Sequence, residues 1–338
     1  MDFIFQCARL FLSALDPETA HLFTLRALRV LGQVRRANRP PGDTIEVAGL
    51  NFPNRVGLAA GFDKNGEAIT GLNQLGFGFV EIGAVTPMPQ SGNPKPRLFR
   101  LTNHRAVINR MGFNNEGVEA LRERLRVTPE IKPTLLGVNL GINRDTPISK
   151  AKDDYLQCMR LLSDLVDYFT INISSPNTPK LRDLHGGARL SEMLKTLLEE
   201  RDQLIVDQDR RLPLFVKVSP DLEPALVREL ALCIREARCD GLVATNTTTA
   251  RDGIRHRLSA QKGGLSGQPL FNKSIRTVEA VRDAVGADFP IIGVGGISNG
   301  SDAIAMRNAG ADLIQVYTAL VYEGPRLVDA LVTALADS

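Results

Sequence analysis

The chain of 338 residues has no tryptophan, and only four tyrosines, four histidines and four cysteines. Cys7, Cys158, Cys233 and Cys239 form no C-x-x-C pair and no cluster with histidine, which excludes a disulfide scaffold and a structural zinc site. His21, His104, His185 and His256 are scattered, so no metal centre is expected. No stretch reaches the roughly 18 consecutive apolar residues of a membrane span. A secretory leader is not expected either, because Asp2 precedes the first apolar residues and Pro17 ends them. These absences lead to the expectation of a soluble, cytosolic chain. Hydrophobic residues at 43% and charged residues at 23% are globular proportions, which exclude disordered, collagen-like and heptad-repeat chains.

Excess charge is also scarce. Residues 1–40 carry six arginines, no lysine and three acids, so they hold the whole net charge of +3. Such an excess suits an anionic lipid surface. It is too small, and too poor in interleaved aromatics, for nucleic-acid binding.

Two amphipathic segments open the chain. Residues 3–14 place Phe3, Cys7, Leu10, Phe11 and Ala14 on one helical face. Asp16-Pro17-Glu18-Thr19 then reads as an N-cap followed by proline at the first helical position, starting a helix that runs to about Leu31. Two short helices this apolar are not stable alone and must pack on a body, a membrane surface or both. Arg35 to Gly42 is a linker with a double proline. The domain reading is a helical extension over residues 1–40 and one larger unit over 41–338.

Beyond residue 45, short β-branched runs alternate with helical stretches. Strands are expected at 55–59, 79–85, 135–140, 168–173, 214–218, 241–244, 291–294 and 313–316. Helices are expected near 65–75, 114–126, 153–164, 190–206, 222–237, 274–285, 301–308 and 325–336. Strand–helix units repeated in this way predict an α/β fold, a (β/α)8 TIM barrel with an N-terminal two-helix extension. The competing fold is a doubly wound open sheet, weakened because AAGFDKNG, not a G-x-G-x-x-G fingerprint, follows the first strand. Residues 45–54 read as a hairpin closing the barrel bottom.

The carboxyl ends of barrel strands form the active-site face, and the unusual residues fall there. Gly295-Gly296 after strand 7, Tyr317-Thr318 after strand 8 and Gly263-Gly264-Leu265-Ser266-Gly267 on the preceding loop read as a phosphate cradle, the alternative being tight turns only. Lys217 interrupts an apolar strand. It is either a cation set against an electron-rich ring or a lysine whose stem is buried while its head reaches solvent. Lys64 beside Asp63 is either an anchor for an anionic substrate or half of a surface ion pair. Asn109, Asn139, Asn172, Asn177 and Asn246 gather neutral groups that both donate and accept, suited to a flat heterocycle with alternating carbonyl and N–H groups. Ser175 has no His or Asp partner in sequence, so a hydrolase triad is unsupported.

At these residues the chain becomes recognisable. Ala60-Gly61-Phe62-Asp63-Lys64, Asn109-Arg110-Met111-Gly112-Phe113-Asn114, Ile171 to Thr178 (INISSPNT), Thr245-Asn246-Thr247-Thr248, Gly264-Leu265-Ser266-Gly267 and Gly293-Val294-Gly295-Gly296 resemble, in order, dihydroorotate dehydrogenase. The helix pair, and serine in place of cysteine as base, resemble its membrane-associated, quinone-linked class 2. The resemblance implies FMN-dependent oxidation of (S)-dihydroorotate to orotate in de novo pyrimidine synthesis, with a membrane quinone as final acceptor. It implies Ser175 as general base. Lys64, Asn109, Arg110, Met111, Gly112, Phe113, Asn172, Asn177, Asn246 and Thr247 would contact substrate. Ala60, Gly61, Phe62, Asp63, Lys64, Ala84, Asn139, Asn172, Lys217, Thr245, Gly267, Gly296, Tyr317 and Thr318 match FMN positions. His21 and Arg100 match a quinone tunnel. A monomer peripheral to the cytoplasmic face of the cell membrane is implied as well. Ala84 departs from the pattern, since relatives often carry Thr or Ser there; any flavin contact must be through its backbone. A soluble acceptor such as fumarate or NAD would go with no helix pair and a cysteine at 175. Another FMN barrel enzyme fits the asparagines poorly, and a non-catalytic phosphate-binding barrel leaves Lys217, Lys64 and Ser175 without a role.

Overall fold

The computed structural model describes residues 11–34, 42–177, 187–206 and 210–337. Eight parallel strands close into a barrel in the order β3 (Val56–Leu58), β4 (Phe79–Val85), β7 (Leu135–Leu140), β8 (Tyr168–Asn172), β9 (Leu214–Val218), β10 (Gly241–Ala244), β12 (Ile291–Val294) and β13 (Leu313–Val316). The expected strands match them to within two residues at each end. Helices α2 (Ile69–Asn73), α3 (Val118–Val127), α4 (Ala151–Leu162), α5 (Gly187–Leu204), α6 (Pro224–Glu236), α7 (Phe271–Val285), α8 (Gly300–Asn308) and α10 (Arg326–Ala336) form the outer ring, with α9 (Thr318–Glu323) inserted after β13.

Strand alternation sorts the barrel interior into layers. Phe79, Leu135, Tyr168, Phe215 and Leu313 point inward near the strand starts and pack with Val47 and Phe52. Those two come from the hairpin of β1 (Ile45–Val47) and β2 (Leu50–Phe52), which plugs that end as expected. Further along the same inward faces stand the buried polar side chains Glu81, Asn139, Thr170, Lys217 and Gln315. Glycines on neighbouring strands make room for the rings. A Cβ on Gly57 would lie 2.3 Å from the Phe79 ring, and one on Gly137 would lie 2.0 Å from Cζ of Tyr168. Gly137→Ala is therefore expected to lower stability by about 1–3 kcal/mol through forced repacking. A thermal melt with unchanged midpoint would contradict this.

A three-stranded antiparallel sheet, β5 (Leu98–Leu101), β6 (Ala106–Asn109) and β11 (Gly264–Gly267), was not expected from sequence. Its strands are four residues long, too short for a hydrophobic period to announce them, and β11 joins the β5–β6 pair from far along the chain. It carries Asn109 at one edge of the site.

Of the N-terminal extension, residues 11–14 are helical and α1 spans Pro17–Val34. Asp16 caps α1 by accepting from the backbone N–H groups of Glu18 and Thr19, both at 3.1 Å. The remainder of the expected first helix (residues 3–10), most of the Arg35–Gly42 linker and the boundary at residues 40 and 41 lie outside the described residues, as do Thr178 and His185. α1 lies against α2 so closely that a Cβ on Gly71 would meet the Leu28 carbonyl oxygen at 1.9 Å. Glu18 anchors its start in a buried fork, accepting from Arg97 Nη2 at 2.8 Å and Nε at 3.1 Å.

Candidate active site at the C-terminal rim

The βα loops bring most of the expected residues to one rim. Asn172 donates through Nδ2 to Asn139 Oδ1 at 2.9 Å, and Asn246 Nδ2 lies 3.4 Å from Asn172 Oδ1 and 3.0 Å from Ser174 Oγ. Asn177 Nδ2 reaches the backbone carbonyl and Oδ1 of Asn109 at 3.3 and 3.4 Å. The two amide groups adjoin, because the space a Cβ on Gly264 would take is bounded by Thr247 and Pro176. Gly264 itself pairs with Asn109 across the β11–β6 ladder. Ser175 is buried in the loop after β8, and its Oγ accepts from the Asn177 N–H at 3.3 Å. That loop is described only as far as residue 177.

Lys217 is buried on β9, which rules out the reading in which its head escapes to solvent. Burial pushes its ammonium below the usual lysine range, and the Glu81 carboxylate opposes that shift. Lys64 does not pair with Asp63. Its Nζ donates to the Gly61 carbonyl at 2.8 Å, while the Asp63 carboxylate accepts from the N–H groups of Glu67 and Ala68 at 2.9 and 2.8 Å. Asp63 therefore orders the turn into α2, and only its backbone remains for a ligand. Burial, followed by the charge of Arg97, lowers the Lys64 ammonium to about 8, against the opposing charges of Glu18 and Asp63.

Gly61 and Ala84 sit at adjoining strand ends, with Gly61 N–H donating to the Gly83 carbonyl at 2.7 Å. Phe113 packs beside them, 3.0 Å from where a Cβ on Gly141 would stand. Gln90 Nε2 donates to the Gly112 and Phe113 carbonyls and Asn93 N–H to that of Met111, so this segment is held through its backbone. Arg110 turns elsewhere. Its guanidinium stacks on Phe99 at 4.7 Å and donates to Gln261 Oε1 and the Pro96 carbonyl, both at 2.8 Å. Any ligand contact by Arg110 is accordingly a main-chain one.

The expected phosphate-cradle residues come together where β11, β12 and β13 end. Gly267 and Gly296 have φ of 95° and 79°, values that favour residues without a Cβ. A Cβ on Gly267 would lie 3.0 Å from Cγ2 of Thr318, and one on Gly296 2.5 Å from the Phe271 N. The Thr245 hydroxyl lies against the Val294 and Asn246 carbonyls. Over the same rim lies α1. His21 packs edge-on against Phe62 at 5.1 Å, and Phe62 against Tyr317 at 5.4 Å. Burial first, and the charge of Lys64 second, push the His21 imidazole down to about 3, so it is neutral across the physiological range. Arg100 donates to the carbonyls of Leu12, Ser13 and Leu15 at 2.9–3.0 Å. It thereby satisfies the C-terminal carbonyls of the first helical turn.

Sequence reasoning passed over Glu81 and the Glu18–Arg97 fork. For Glu81 a signal existed, the one that singled out Lys217: a charge at an inward position of an apolar strand. For the fork, 79 residues of separation leave no local sign.

A (β/α)8 barrel that gathers glycine-rich strand ends, a buried lysine and a set of asparagines at its C-terminal rim has the build of a barrel oxidoreductase. The chain belongs to the dihydroorotate dehydrogenase family, whose model, described as "Dihydroorotate dehydrogenase", matches residues 44–338. It is 50% identical over 336 residues to the dihydroorotate dehydrogenase (quinone) of Aromatoleum aromaticum, covering 99% of this chain and 95% of that one. It is 48% identical to the protein of the same name from an Azoarcus species, covering 99% of each. Among solved structures, the family enzyme of Eimeria tenella in complex with ferulenol superposes with a TM-score of 0.85 at 35% identity, over 95% of this chain and 91% of that one.

Proposed function

We propose that the chain oxidises (S)-dihydroorotate to orotate in pyrimidine (UMP) biosynthesis, with FMN as hydride acceptor and a membrane quinone as final electron acceptor. The observation that carries this reading is the gathering at one rim of two linked asparagine sets, Asn139–Asn172–Asn246 and Asn177–Asn109, with contacts of 2.9–3.4 Å within each. Neutral amides of both polarities match a ring that alternates carbonyl and N–H groups. Relatives at 48–50% identity named for quinone support the acceptor.

The residues present fit FMN. The glycine cradle offers backbone N–H groups to a phosphate, and Lys217 places a buried cation on the inward face of β9 for the ring. When bound, FMN supplies the two-electron acceptor for hydride. The remaining chemistry belongs to the side chains. Ser175 takes the C5 proton as the C6 hydride departs, with help from the site because a serine is a weak base. Asn109, Asn172, Asn177 and Asn246 orient the ring, and Lys64 attracts the substrate carboxylate. Lys217, buried and little screened by water, would stabilise negative charge on a flavin held beside it.

In this reading residues 1–40 deliver quinone to the barrel of residues 41–338, through a passage bordered by His21 and the segment that Arg100 holds. None of the described helices is long and apolar enough to cross a membrane. Peripheral attachment at the cytoplasmic face is supported by exposed Phe11, Phe23, Val30 and Val34, up to 77% exposed, with the Arg26 guanidinium 6.0 Å from the Phe23 ring centroid.

The test is an anaerobic spectrum of the purified protein. The flavin band is expected to bleach with dihydroorotate and return with quinone. A yellow protein that fails to bleach would overturn the substrate, and a colourless one that FMN cannot reconstitute would overturn the cofactor. A pH dependence also follows from Lys64, lowered to about 8. Below that pH it is charged and attracts the anionic substrate; above it the attraction is lost. The ratio kcat/KM is expected to fall as pH rises through about 8, and a Lys64→Met variant is expected to lose that limb. A limb that persists in the variant would reassign it.

A further inference from the structure

Glu81 is sealed inside the barrel at 0% exposure, on the same inward face of β4 as Phe79. Its Oε1 accepts from Asn139 Nδ2 at 2.8 Å. Its Oε2 accepts from Gln315 Nε2 at 2.8 Å, Thr170 Oγ1 at 3.1 Å and the Tyr168 hydroxyl at 3.3 Å. The amide N–H groups of Asn139 and Gln315 donate to one oxygen each, so both oxygens accept, which a carboxylate does and a carboxamide does not.

The consequence runs outward. An asparagine amide has two ends of opposite polarity, so by presenting Nδ2 to Glu81, Asn139 must present Oδ1 to Asn172. Asn172 duly donates there at 2.9 Å. Its own Oδ1 is thereby turned toward the Ser174 N–H and Oγ, both at 3.2 Å, and Asn246 Nδ2 at 3.4 Å. We propose that Glu81 is a positioning residue, whose buried carboxylate sets the donor and acceptor polarity of the substrate-facing amide array through Asn139 and Asn172. The ring it serves rests on the function proposed above. With a carboxamide at position 81, an N–H would face either Asn139 Nδ2 or Gln315 Nε2. Relief of that conflict by rotating the Asn139 amide would reverse Asn172 in turn.

Orotate binding to the oxidised flavoprotein, read by perturbation of the flavin spectrum, tests this without turnover. Glu81→Gln is expected to weaken orotate binding about tenfold or more. The double variant Glu81→Gln with Asn139→Asp moves the carboxylate one step along the chain. The new carboxamide then donates to the new carboxylate, which still accepts from Asn172, and the buried charge opposite Lys217 is kept. This variant is expected to bind orotate better than either single variant, a non-additivity that general loss of packing does not produce. Parent-like binding by Glu81→Gln, or a double variant no better than it, would overturn the proposal. If Glu81→Gln fails to fold, a folded, orotate-binding double variant supports the proposal and an equally unfolded one overturns it. A parent protein that holds flavin but not orotate would instead defeat the functional reading.

Discussion

Ser175→Ala is expected to retain flavin and bind orotate normally while its flavin is reduced by dihydroorotate about 10²–10⁴-fold more slowly, the usual loss when a positioned proton acceptor is removed. The structure explains why the defect should be confined to the chemical step. Ser175 is buried, and its Oγ accepts from the Asn177 N–H two residues on at 3.3 Å. Alanine fits the same space and removes only the oxygen. Asn172 and Asn246 are linked to Asn139 and through it to Glu81, and Asn177 is linked to Asn109, none of them by way of the Ser175 hydroxyl oxygen. Rapid-mixing measurement of flavin bleaching, together with an orotate titration, separates the two effects. Reduction at the parent rate would remove Ser175 from proton transfer, and lost orotate binding would make it a binding group.

Deletion of residues 1–38 is expected to abolish reduction of long-chain quinone while dihydroorotate still bleaches the flavin. The deleted segment carries His21, which meets Phe62 at the rim, and the carbonyls to which Arg100 is bound. It also carries Glu18. Arg97, only 8% exposed at its side chain, would then lose its carboxylate, and α2 would lose the helix packed against it. The truncated barrel is therefore expected to melt earlier as well. Parallel assays with a long-chain quinone and with a soluble dye as acceptor distinguish the two losses. Unimpaired activity with the quinone would refute the delivery role, and equal loss with both acceptors would point to a damaged barrel.

Much of this molecule is legible locally. The inward-outward alternation of β-branched residues and the helical stretches between them mark eight strand–helix units, because each strand's burial pattern is written in its own residues. Lys217 stands out for the same reason: a charge amid apolar neighbours is visible without knowing what it faces. Glu81 carries an equal signal in Phe79–Val85, yet its significance depends on Asn139, Thr170 and Gln315, up to 234 residues away. The sheet of β5, β6 and β11 is likewise silent, since four residues are too few to show a period and β11 arrives from 155 residues beyond β6.

By itself, then, the chain's order of residues determined the barrel, the hairpin plug, the capped N-terminal helix and the placing of polar motifs at strand ends. These follow from propensities, periodicity and turn chemistry within a few residues. Tertiary structure alone decided what each polar group does. It bound the Asp63 carboxylate to a helix start, turned Arg110 onto Phe99, engaged Arg100 with helix carbonyls and gave the asparagine amides their direction. The physical reason is that a hydrogen bond has a direction and needs a partner, and here most partners arrive from strands far apart in the chain.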